Sequence, residues 1–129
     1  MKRILIVDDV PGWIRFHKNN LEYLENELEI DTALSAKEGV SKIEAAIDNP
    51  YHVIFTDLQM ESDFLPKYAG EWFIEQIKTY SKYYKNTKIV IVSASPSIKQ
   101  IAERNEVLYL PKTVARNADA QVYAQFIND

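Results

Sequence analysis

Three carboxylates stand directly after short apolar runs, and they are the residues of this chain best suited to chemistry. Asp8 and Asp9 follow the run at positions 4–7, and Asp57 follows the run at 53–56. Carboxylates about 4 Å apart repel each other by roughly 4 kcal/mol at an effective dielectric constant near 20. If these three meet at one place, they therefore need a bound cation or a shared proton.

A hydroxyl group and an ammonium group stand at comparable positions. Ser93 follows the apolar run at 89–92, and Lys112 lies just beyond the run at 107–110. Oxygen ligands without a thiolate suit a hard ion such as Mg²⁺, which takes one or two carboxylates along with water and phosphate oxygens. A carboxylate nucleophile needs no deprotonation, and a metal, a lysine and a hydroxyl can share the charge of a transferred phosphoryl group. The set predicts phosphoryl transfer, although each residue alone is ordinary at a strand end or helix cap.

The apolar runs predict the strands that would bring these groups together. Short, solidly apolar runs are typical of buried strands in a parallel sheet, whose site forms outside the carboxyl ends of the strands. The run at 28–32 instead alternates apolar and polar residues, which favours a half-exposed edge strand. With helical periodicity between the runs, the pattern predicts a flavodoxin-like α/β fold, a doubly wound (βα)5 sandwich with five parallel strands in the order 2-1-3-4-5.

Several residues mark the predicted helix ends. Pro11 suits the first position of the first helix, Ser35 and Glu38 form a capping box for the second, and Ser95-Pro96 can start a short fourth helix. The third and last helices are predicted from apolar residues at helical spacing: Phe73, Ile77, Tyr80 and Tyr84 in the third, and Ala118, Val122 and Phe126 in the last, which starts between Thr113 and Asn117.

Composition narrows the class of protein. The length of 129 residues predicts a single domain over 1–129, without an output domain. The absence of cysteine removes disulfides and thiolate metal sites and fits a reducing cytoplasm, which is the location we expect. No stretch is long and apolar enough to span a membrane. The net charge of −4 argues against broad, direct binding to nucleic acid.

In its strand-end motifs the chain resembles the receiver domain of two-component response regulators, over nearly its whole length. The motifs that carry the resemblance are Ile4-Leu5-Ile6-Val7-Asp8-Asp9, Val53-Ile54-Phe55-Thr56-Asp57-Leu58-Gln59-Met60, Val92-Ser93-Ala94 and Tyr109-Leu110-Pro111-Lys112. The resemblance implies that Asp57 accepts a phosphoryl group from a histidine kinase or a histidine phosphotransfer protein. It also implies that Mg²⁺ is bound by Asp9, the Asp57 carboxylate and the Gln59 main-chain carbonyl, with Asp8 acting through water.

The same resemblance implies a switch. Lys112 and Ser93 would engage the phosphoryl oxygens, and Tyr109 would be the aromatic residue that moves inward when Ser93 is pulled toward the phosphate. The face formed by the fourth helix, fifth strand and fifth helix would then bind a downstream protein target or a second copy of the domain. Such a domain phosphorylates and dephosphorylates itself at one residue and is not otherwise an enzyme.

Two departures from the family pattern concern loops. Thr113 stands where the family usually has a proline after a cis bond, and a cis bond before a non-proline residue costs about 2.5–4 kcal/mol. This loop therefore either tolerates strain or has a trans Lys112–Thr113 bond. The segment Glu61–Ala69 carries an apparent insertion of about five residues, which costs little loop entropy and could shape the site or dock a partner.

Three other functions fit the same residues less well. A receiver-like adaptor that signals without phosphorylation is favoured by Thr113 and the insertion but not by the complete acid, serine and lysine set. A Mg²⁺-dependent phosphatase of the haloacid dehalogenase type would need acids two positions apart, whereas Asp8 and Asp9 are adjacent. Flavin binding would need a hydroxyl-rich loop after the first strand, and this loop has none.

Some residues fit an ordinary structural role better than a site. Lysines and tyrosines interleave at 78–88 as in a nucleic-acid patch, but a solvated face near a helix C-terminus is the simpler interpretation. His17 and His52 have no partner at metal-ligand spacing, which favours core or surface roles. Trp13 is predicted to pack at a helix start, close enough to Asp8 and Asp9 to line their site.

Overall fold

The fold is built on a five-stranded parallel sheet. The structure, a computed structural model, describes residues 1–24, 27–60 and 68–128. The strands are β1 Lys2–Val7, β2 Leu28–Ala33, β3 Val53–Thr56, β4 Lys88–Ser93 and β5 Leu108–Pro111. Their spatial order is β2-β1-β3-β4-β5, with all neighbouring pairs parallel. The predicted flavodoxin-like strand order is confirmed.

Seven helices are assigned within the described residues. They are α1 Pro11–Leu24, α2 Ala36–Ala45, α3 Ala69–Thr79, α4 Ser81–Tyr84, α5 Ile98–Asn105, α6 Lys112–Asn117 and α7 Gln121–Ile127. The predicted third helix corresponds to α3 with α4, the predicted fourth to α5, and the predicted fifth to α6 with α7. None of these helices has the length and apolar character that crossing a bilayer requires.

The two faces of the sheet carry separate apolar clusters. Leu5 and Val7 of β1 point into the cluster that contains residues of α2, α3 and α5, whereas Ile4 and Ile6 point into the cluster that contains residues of α1 and α7. This follows from the two-residue period of a strand, which sends successive side chains to opposite faces. A solidly apolar strand is thus buried on both sides, as the sequence predicts.

β2 lies at an edge of the sheet, as its alternating pattern predicts. Ala33 is its one buried residue, Glu29 is exposed, and the other four are half-buried. Arg3 of the neighbouring strand forms ion pairs with Glu29 at 3.4 Å and Asp31 at 3.2 Å, and the Tyr51 hydroxyl donates to Asp31 at 2.6 Å. The acidic residues of the edge strand, Glu29 and Asp31, are therefore paired with partners on neighbouring segments.

The first two predicted helix starts are also confirmed. α1 begins at Pro11, and the Asp8 carboxylate accepts a hydrogen bond from Val10 N just before it. At the start of α2, Ser35 Oγ accepts from Glu38 N at 3.1 Å while the Glu38 carboxylate accepts from Leu34 N. These bonds satisfy main-chain donors that the first helical turn leaves free.

Three predicted helices differ in detail. The third is broken at Tyr80 (φ −102°, ψ 29°), where the N–H donates to Ile77 O in a tight turn. The fourth was predicted from Pro96 and begins at Ile98, because Ser95 forms a turn in which its main-chain O accepts from Ile98 N and its Oγ from Ser97 N. The turn competes locally with the helix, a known property of serine.

The last predicted helix is two helices. It begins at Lys112, before the predicted range, and is interrupted at Ala118, whose backbone is extended (ψ 170°). Asp119 Oδ1 then accepts from Gln121 N at 2.9 Å at the start of α7. An aspartate that bonds a main-chain N–H two residues on favours a new helix start over a continuous helix.

Candidate functional site

The three carboxylates meet in a crevice at the carboxyl end of the sheet. One carboxylate oxygen from each of Asp8, Asp9 and Asp57 lies within 4.8 Å of the others. Asp8 and Asp9 follow β1, and Asp57 follows β3, its neighbour in the sheet. The parallel register thus brings the adjacent pair Asp8-Asp9 and the distant Asp57 into one cluster, as the sequence predicts.

Asp57 is buried, with only 7% of its surface exposed. Its Oδ1 accepts from Leu58 N at 2.7 Å and its Oδ2 accepts from Lys112 Nζ at 3.2 Å. Burial and the neighbouring charge of Asp8 nevertheless raise the pKa of the Asp57 carboxyl above its ordinary value. Two good partners do not fully offset the loss of water and the adjacent negative charge.

Asp8 and Asp9 are unequally buried. Asp8 is 1% exposed, accepts from Val10 N at 2.9 Å and lies 3.1 Å from Lys112 Nζ. Burial raises the pKa of the Asp8 carboxyl despite these two partners. Asp9 is exposed and faces the crevice from its rim. The cluster therefore has a buried wall and an open side.

Lys112 brings one positive charge to these carboxylates. It is the first residue of α6, directly after β5, and is 8% exposed. Its Nζ lies 4.8 Å from the centroid of the Trp13 ring as well as close to Asp8 and Asp57. The prediction that Trp13 lines the site is confirmed. Among the described residues, three carboxylates and one ammonium meet here, so these four groups together carry negative charge when all are ionised.

The remaining predicted site residues surround this centre. Ser93 ends β4 and is 2% exposed, with its Oγ accepting from Ser95 N at 3.0 Å. Its Cα is in register with that of Pro111, next to Lys112. Gln59 is exposed two residues after Asp57. Tyr109 lies on the edge strand β5 with 37% of its surface exposed.

Gly70 supports the site and is not among the predicted site residues. Its N–H donates to Leu58 O at 3.0 Å, and a Cβ at this position would lie 2.1 Å from the Asp57 main-chain oxygen. The first turn of α3 is thus in close backbone contact with the segment after β3. The available signal was a glycine among apolar helix residues, which indicates a close backbone approach.

The donor atoms of the crevice fit a magnesium ion. All three side chains offer carboxylate oxygens, and one face of the cluster is open to water. Hard oxygen ligands with room for several waters match the preference of Mg²⁺. Burial and then repulsion by Asp8 raise the pKa of Asp57, and an added dication would oppose both effects.

A second buried carboxylate lies outside the crevice. Glu71, in the first turn of α3, is 3% exposed. It accepts two hydrogen bonds from Arg104 of α5, at 3.0 and 2.8 Å, and one from the Asn105 side chain at 2.8 Å. Although burial acts to raise it, the pKa of Glu71 is lowered below its ordinary value by these bonds and the charge of Arg104.

The ordinary roles proposed for the histidines are confirmed. His17 is buried and its Nδ1 lies 2.6 Å from the Tyr123 hydroxyl, whereas His52 is exposed and its Nδ1 accepts from Arg3 N at 2.9 Å. In the basic–aromatic stretch, Lys78 lies in the last turn of α3, as the interpretation of a solvated helix end expects. Residues 61–67 of the predicted insertion lie outside the described residues.

Comparison with known proteins agrees with this geometry. The family model for the response regulator receiver domain matches residues 4–121. A receiver domain protein from Clostridium thermocellum is 25% identical, with a TM-score of 0.75 over 99% of this chain and 92% of that one. Vibrio cholerae CheY4 is 23% identical, with a TM-score of 0.73 over 97% and 94% of the two chains.

A third solved structure carries a ligand. The response regulator TrrA of Thermotoga maritima, determined in complex with Mg²⁺-BeF, is 26% identical, with a TM-score of 0.66 over 86% of each chain. No curated protein matches the chain. With the family model spanning nearly the whole sequence and the strand order and acid cluster in agreement, the chain belongs to the response regulator receiver domain family.

Proposed function

We propose that this domain accepts a phosphoryl group on Asp57, with Mg²⁺ bound beside it, and thereby switches a protein-binding surface. One observation carries the proposal: Asp57 is a buried carboxylate that lies beside Lys112 and two further carboxylates. Burial and the charge of Asp8 raise the pKa of this carboxyl. A perturbed carboxylate in a cleft, with a specific charged partner, is a good candidate for chemistry.

Asp57 would form the new bond in the transfer, and the residues around it would stabilise the charge of the phosphoryl group. A carboxylate oxygen forms the bond to phosphorus while the bond from phosphorus to the donor atom breaks, and Asp57 loses no proton because it attacks as the carboxylate. Lys112, now 3.2 Å from Oδ2, would pair with a phosphoryl oxygen. Ser93 would donate its hydroxyl hydrogen to another, and together they disperse the charge of the transferred group.

Asp8, Asp9, Asp57 and the Gln59 main-chain carbonyl are the groups that would hold the ion. When bound, Mg²⁺ supplies positive charge to the phosphoryl oxygens and neutralises the carboxylates. Asp9, at the exposed rim, would be a direct ligand, and the buried Asp8 would act through water while remaining paired with Lys112.

An apolar surface beside the crevice suits the donor protein. Val10, Gly12, Trp13, Phe16 and Arg116 line a cavity of about 290 Å³, and Val10 is 46% exposed. An exposed apolar patch next to charged chemistry indicates a protein contact. We therefore assign it to the histidine kinase or histidine phosphotransfer protein that presents the phosphoryl group.

The output surface would be formed by α5, β5 and the helices α6 and α7. Leu108, Tyr109 and Val114 expose 45%, 37% and 43% of their surfaces on this side. Movement of Ser93 toward the phosphoryl group would let Tyr109 turn inward and change this apolar surface, a population shift between two packings. A downstream protein, or a second copy of the domain, would bind one of the two forms.

The proposal is tested with a small phosphodonor, which needs no partner protein. The domain is incubated with acetyl phosphate and Mg²⁺, and its intact mass is followed over time. We expect one phosphoryl group per chain in wild type, none in Asp57→Asn, and none when Mg²⁺ is chelated. Glu71→Gln, which removes a buried carboxylate outside the crevice, is the matched control and should still be phosphorylated.

Three results would overturn the proposal or redirect it. No mass gain in wild type, together with no binding of the beryllofluoride mimic, would favour the adaptor that signals without phosphorylation. Continued release of phosphate far beyond one equivalent would favour a phosphatase. A mass gain that persists in Asp57→Asn would assign the phosphoryl group to another residue.

A further inference from the structure

The ammonium of Lys112 lies next to one aromatic ring as well as next to carboxylates. Its Nζ is 3.1 Å from Asp8, 3.2 Å from Asp57 and 4.8 Å from the centroid of Trp13. A lysine ammonium is a compact charge on a flexible four-carbon stem, so its hydrogen bonds alone fix its position poorly. The indole face provides a third, non-titrating contact that attracts a cation.

Trp13 is itself held in place from inside the protein. Its ring stacks on His17, with centroids 5.4 Å apart and planes at 28°, and meets the edge of Phe16 at the same distance. His17 is 1% exposed and its Nδ1 lies 2.6 Å from the Tyr123 hydroxyl of α7. The indole therefore rests on a buried, hydrogen-bonded ring and not on a mobile surface side chain.

His17 is suited to this position because it is uncharged. Burial, and secondarily the charge of Lys112, lower the pKa of His17 to about 4, so the imidazole is neutral near neutral pH. A charged imidazole in contact with Trp13 would repel the ammonium of Lys112. The groups that face His17 from the neighbouring elements are Trp13 and Phe16 of α1, Tyr123 of α7 and the charge of Lys112.

We propose that Trp13 is a positioning residue for phosphoryl transfer, which fixes Lys112 over the crevice through its ring face and is supported by His17 and Tyr123. The inference rests on the proposed function for its kinetic consequence, but its structural part does not. When a phosphoryl group arrives, Lys112 has to exchange a carboxylate partner for a phosphoryl oxygen, and the indole keeps it within reach during that exchange. Trp13 touches no reacting atom.

The kinetic test compares the two tryptophans of the chain. Trp13→Leu should lower the rate constant for phosphorylation by acetyl phosphate about ten-fold, equivalent to about 1.4 kcal/mol. Trp13→Phe, which keeps a smaller ring face, should lower it about three-fold. The affinity for Mg²⁺ should change less than about two-fold in both, because the carboxylates are untouched. Trp72→Leu, in the opposite apolar cluster, is the control and should keep the wild-type rate.

A second measurement needs neither phosphodonor nor metal. Because Lys112 lies over an indole face, the ring current should shift its ε-methylene protons upfield of those of the other lysines in an NMR spectrum. We expect this shift to disappear in Trp13→Leu, to diminish in Tyr123→Phe, and to persist in Trp72→Leu. Tyr123→Phe removes only the hydroxyl that holds His17 and keeps the ring in the core.

The two measurements separate this inference from the proposed function. A wild-type domain that takes no phosphoryl group defeats the proposed function, while the upfield shift and its loss in Trp13→Leu would still establish the Lys112–Trp13 contact. The positioning role is overturned if Trp13→Leu is phosphorylated at the wild-type rate. It is also overturned if Trp72→Leu slows the reaction equally, or if Lys112 shows no upfield shift.

Discussion

Asp57 and Glu71 are both buried carboxylates with a cationic partner, yet their surroundings act on them in opposite directions. Glu71 has three side-chain donors from Arg104 and Asn105, and its pKa is lowered. Asp57 shares one ammonium with Asp8 and has one main-chain donor, and its pKa is raised. The partners of Glu71 more than compensate for its burial, whereas those of Asp57 do not.

The difference separates a structural ion pair from a reactive site. The hydrogen-bonded carboxylate of Glu71 joins α3 to α5, and its charge is already balanced by its partners. A cluster of three carboxylates around one ammonium has a lower free energy when a dication or a phosphoryl group with its counterion joins it. Partner number and net charge, not burial alone, therefore distinguish the two regions.

We expect the largest loss of stability from a substitution at Gly70, which lies between the Asp57 site and the Glu71 ion pair. Gly70 precedes Glu71 and presses on the Asp57 main chain, so the Cβ in Gly70→Ala would meet a backbone oxygen at 2.1 Å. We expect a loss of about 3 kcal/mol in the free energy of unfolding, measured by urea denaturation, and loss of phosphorylation. The control is Gly12→Ala, where the nearest atom is the Arg15 side-chain end at 3.9 Å and helix propensity favours a gain of about 0.5 kcal/mol. Equal midpoints for the two variants would contradict the close approach.

Removing each carboxylate should change stability in opposite directions. Without Mg²⁺ near neutral pH, Glu71→Gln should lower the free energy of unfolding by about 1–3 kcal/mol, because charge-assisted hydrogen bonds are lost in a buried site. Asp57→Asn should raise it by about 1 kcal/mol, because repulsion with Asp8 is relieved. Urea midpoints of the two variants and wild type decide this. A destabilised Asp57→Asn would show that Asp57 is as well compensated as Glu71.

Lys112 should weaken metal binding even though it assists phosphoryl transfer. Its ammonium occupies the centre that a dication would neutralise, so Lys112→Met should tighten Mg²⁺ binding about ten-fold, or about 1.4 kcal/mol. Calorimetric titration measures this, with Lys78→Met of α3 as a control expected to match wild type. Weaker Mg²⁺ binding in Lys112→Met would mean that the lysine organises the carboxylates more than it competes for them.

The pH dependence of stability should also differ between the two carboxylates. The pKa of Asp57 is raised above 3.8, so the folded state binds this proton more tightly than the unfolded state does. Below pH 3.8 ionisation of Asp57 therefore costs no stability. As pH rises through the folded pKa, the free energy of unfolding falls. The pKa of Glu71 is lowered below 4.5, so its stabilisation is present above 4.5 and is lost as pH falls through the folded pKa.

Urea midpoints measured from about pH 2.5 to about pH 7 without Mg²⁺ test these signs, because the contribution of Glu71 is lost only below its ordinary pKa. The advantage of Asp57→Asn over wild type should increase toward neutral pH. The deficit of Glu71→Gln should be largest there and fade toward acid pH. A deficit of Glu71→Gln that grows on acidification would contradict the lowered pKa of that carboxyl.

The sheet and the acid cluster were predictable because strand periodicity and strand-end chemistry are local in the sequence. The edge position of β2 and the meeting of Asp8, Asp9 and Asp57 followed from them. Gly70 and the Glu71 bonds to α5 were not predictable, since they depend on how two helices approach residues distant in the chain. The helix break at Ala118 was missed because a short polar bond at Asp119 outweighs apolar spacing.

The most direct test is to locate the phosphoryl group on the chain. The domain is phosphorylated with acetyl phosphate and Mg²⁺, the acyl phosphate is reduced with borohydride, and the peptides are sequenced by mass spectrometry. We predict that Asp57 alone is converted to homoserine, while Asp8, Asp9 and Glu71 remain unchanged. Conversion at Asp8 or Asp9, or at no residue of a folded domain with Mg²⁺ bound, would contradict the account.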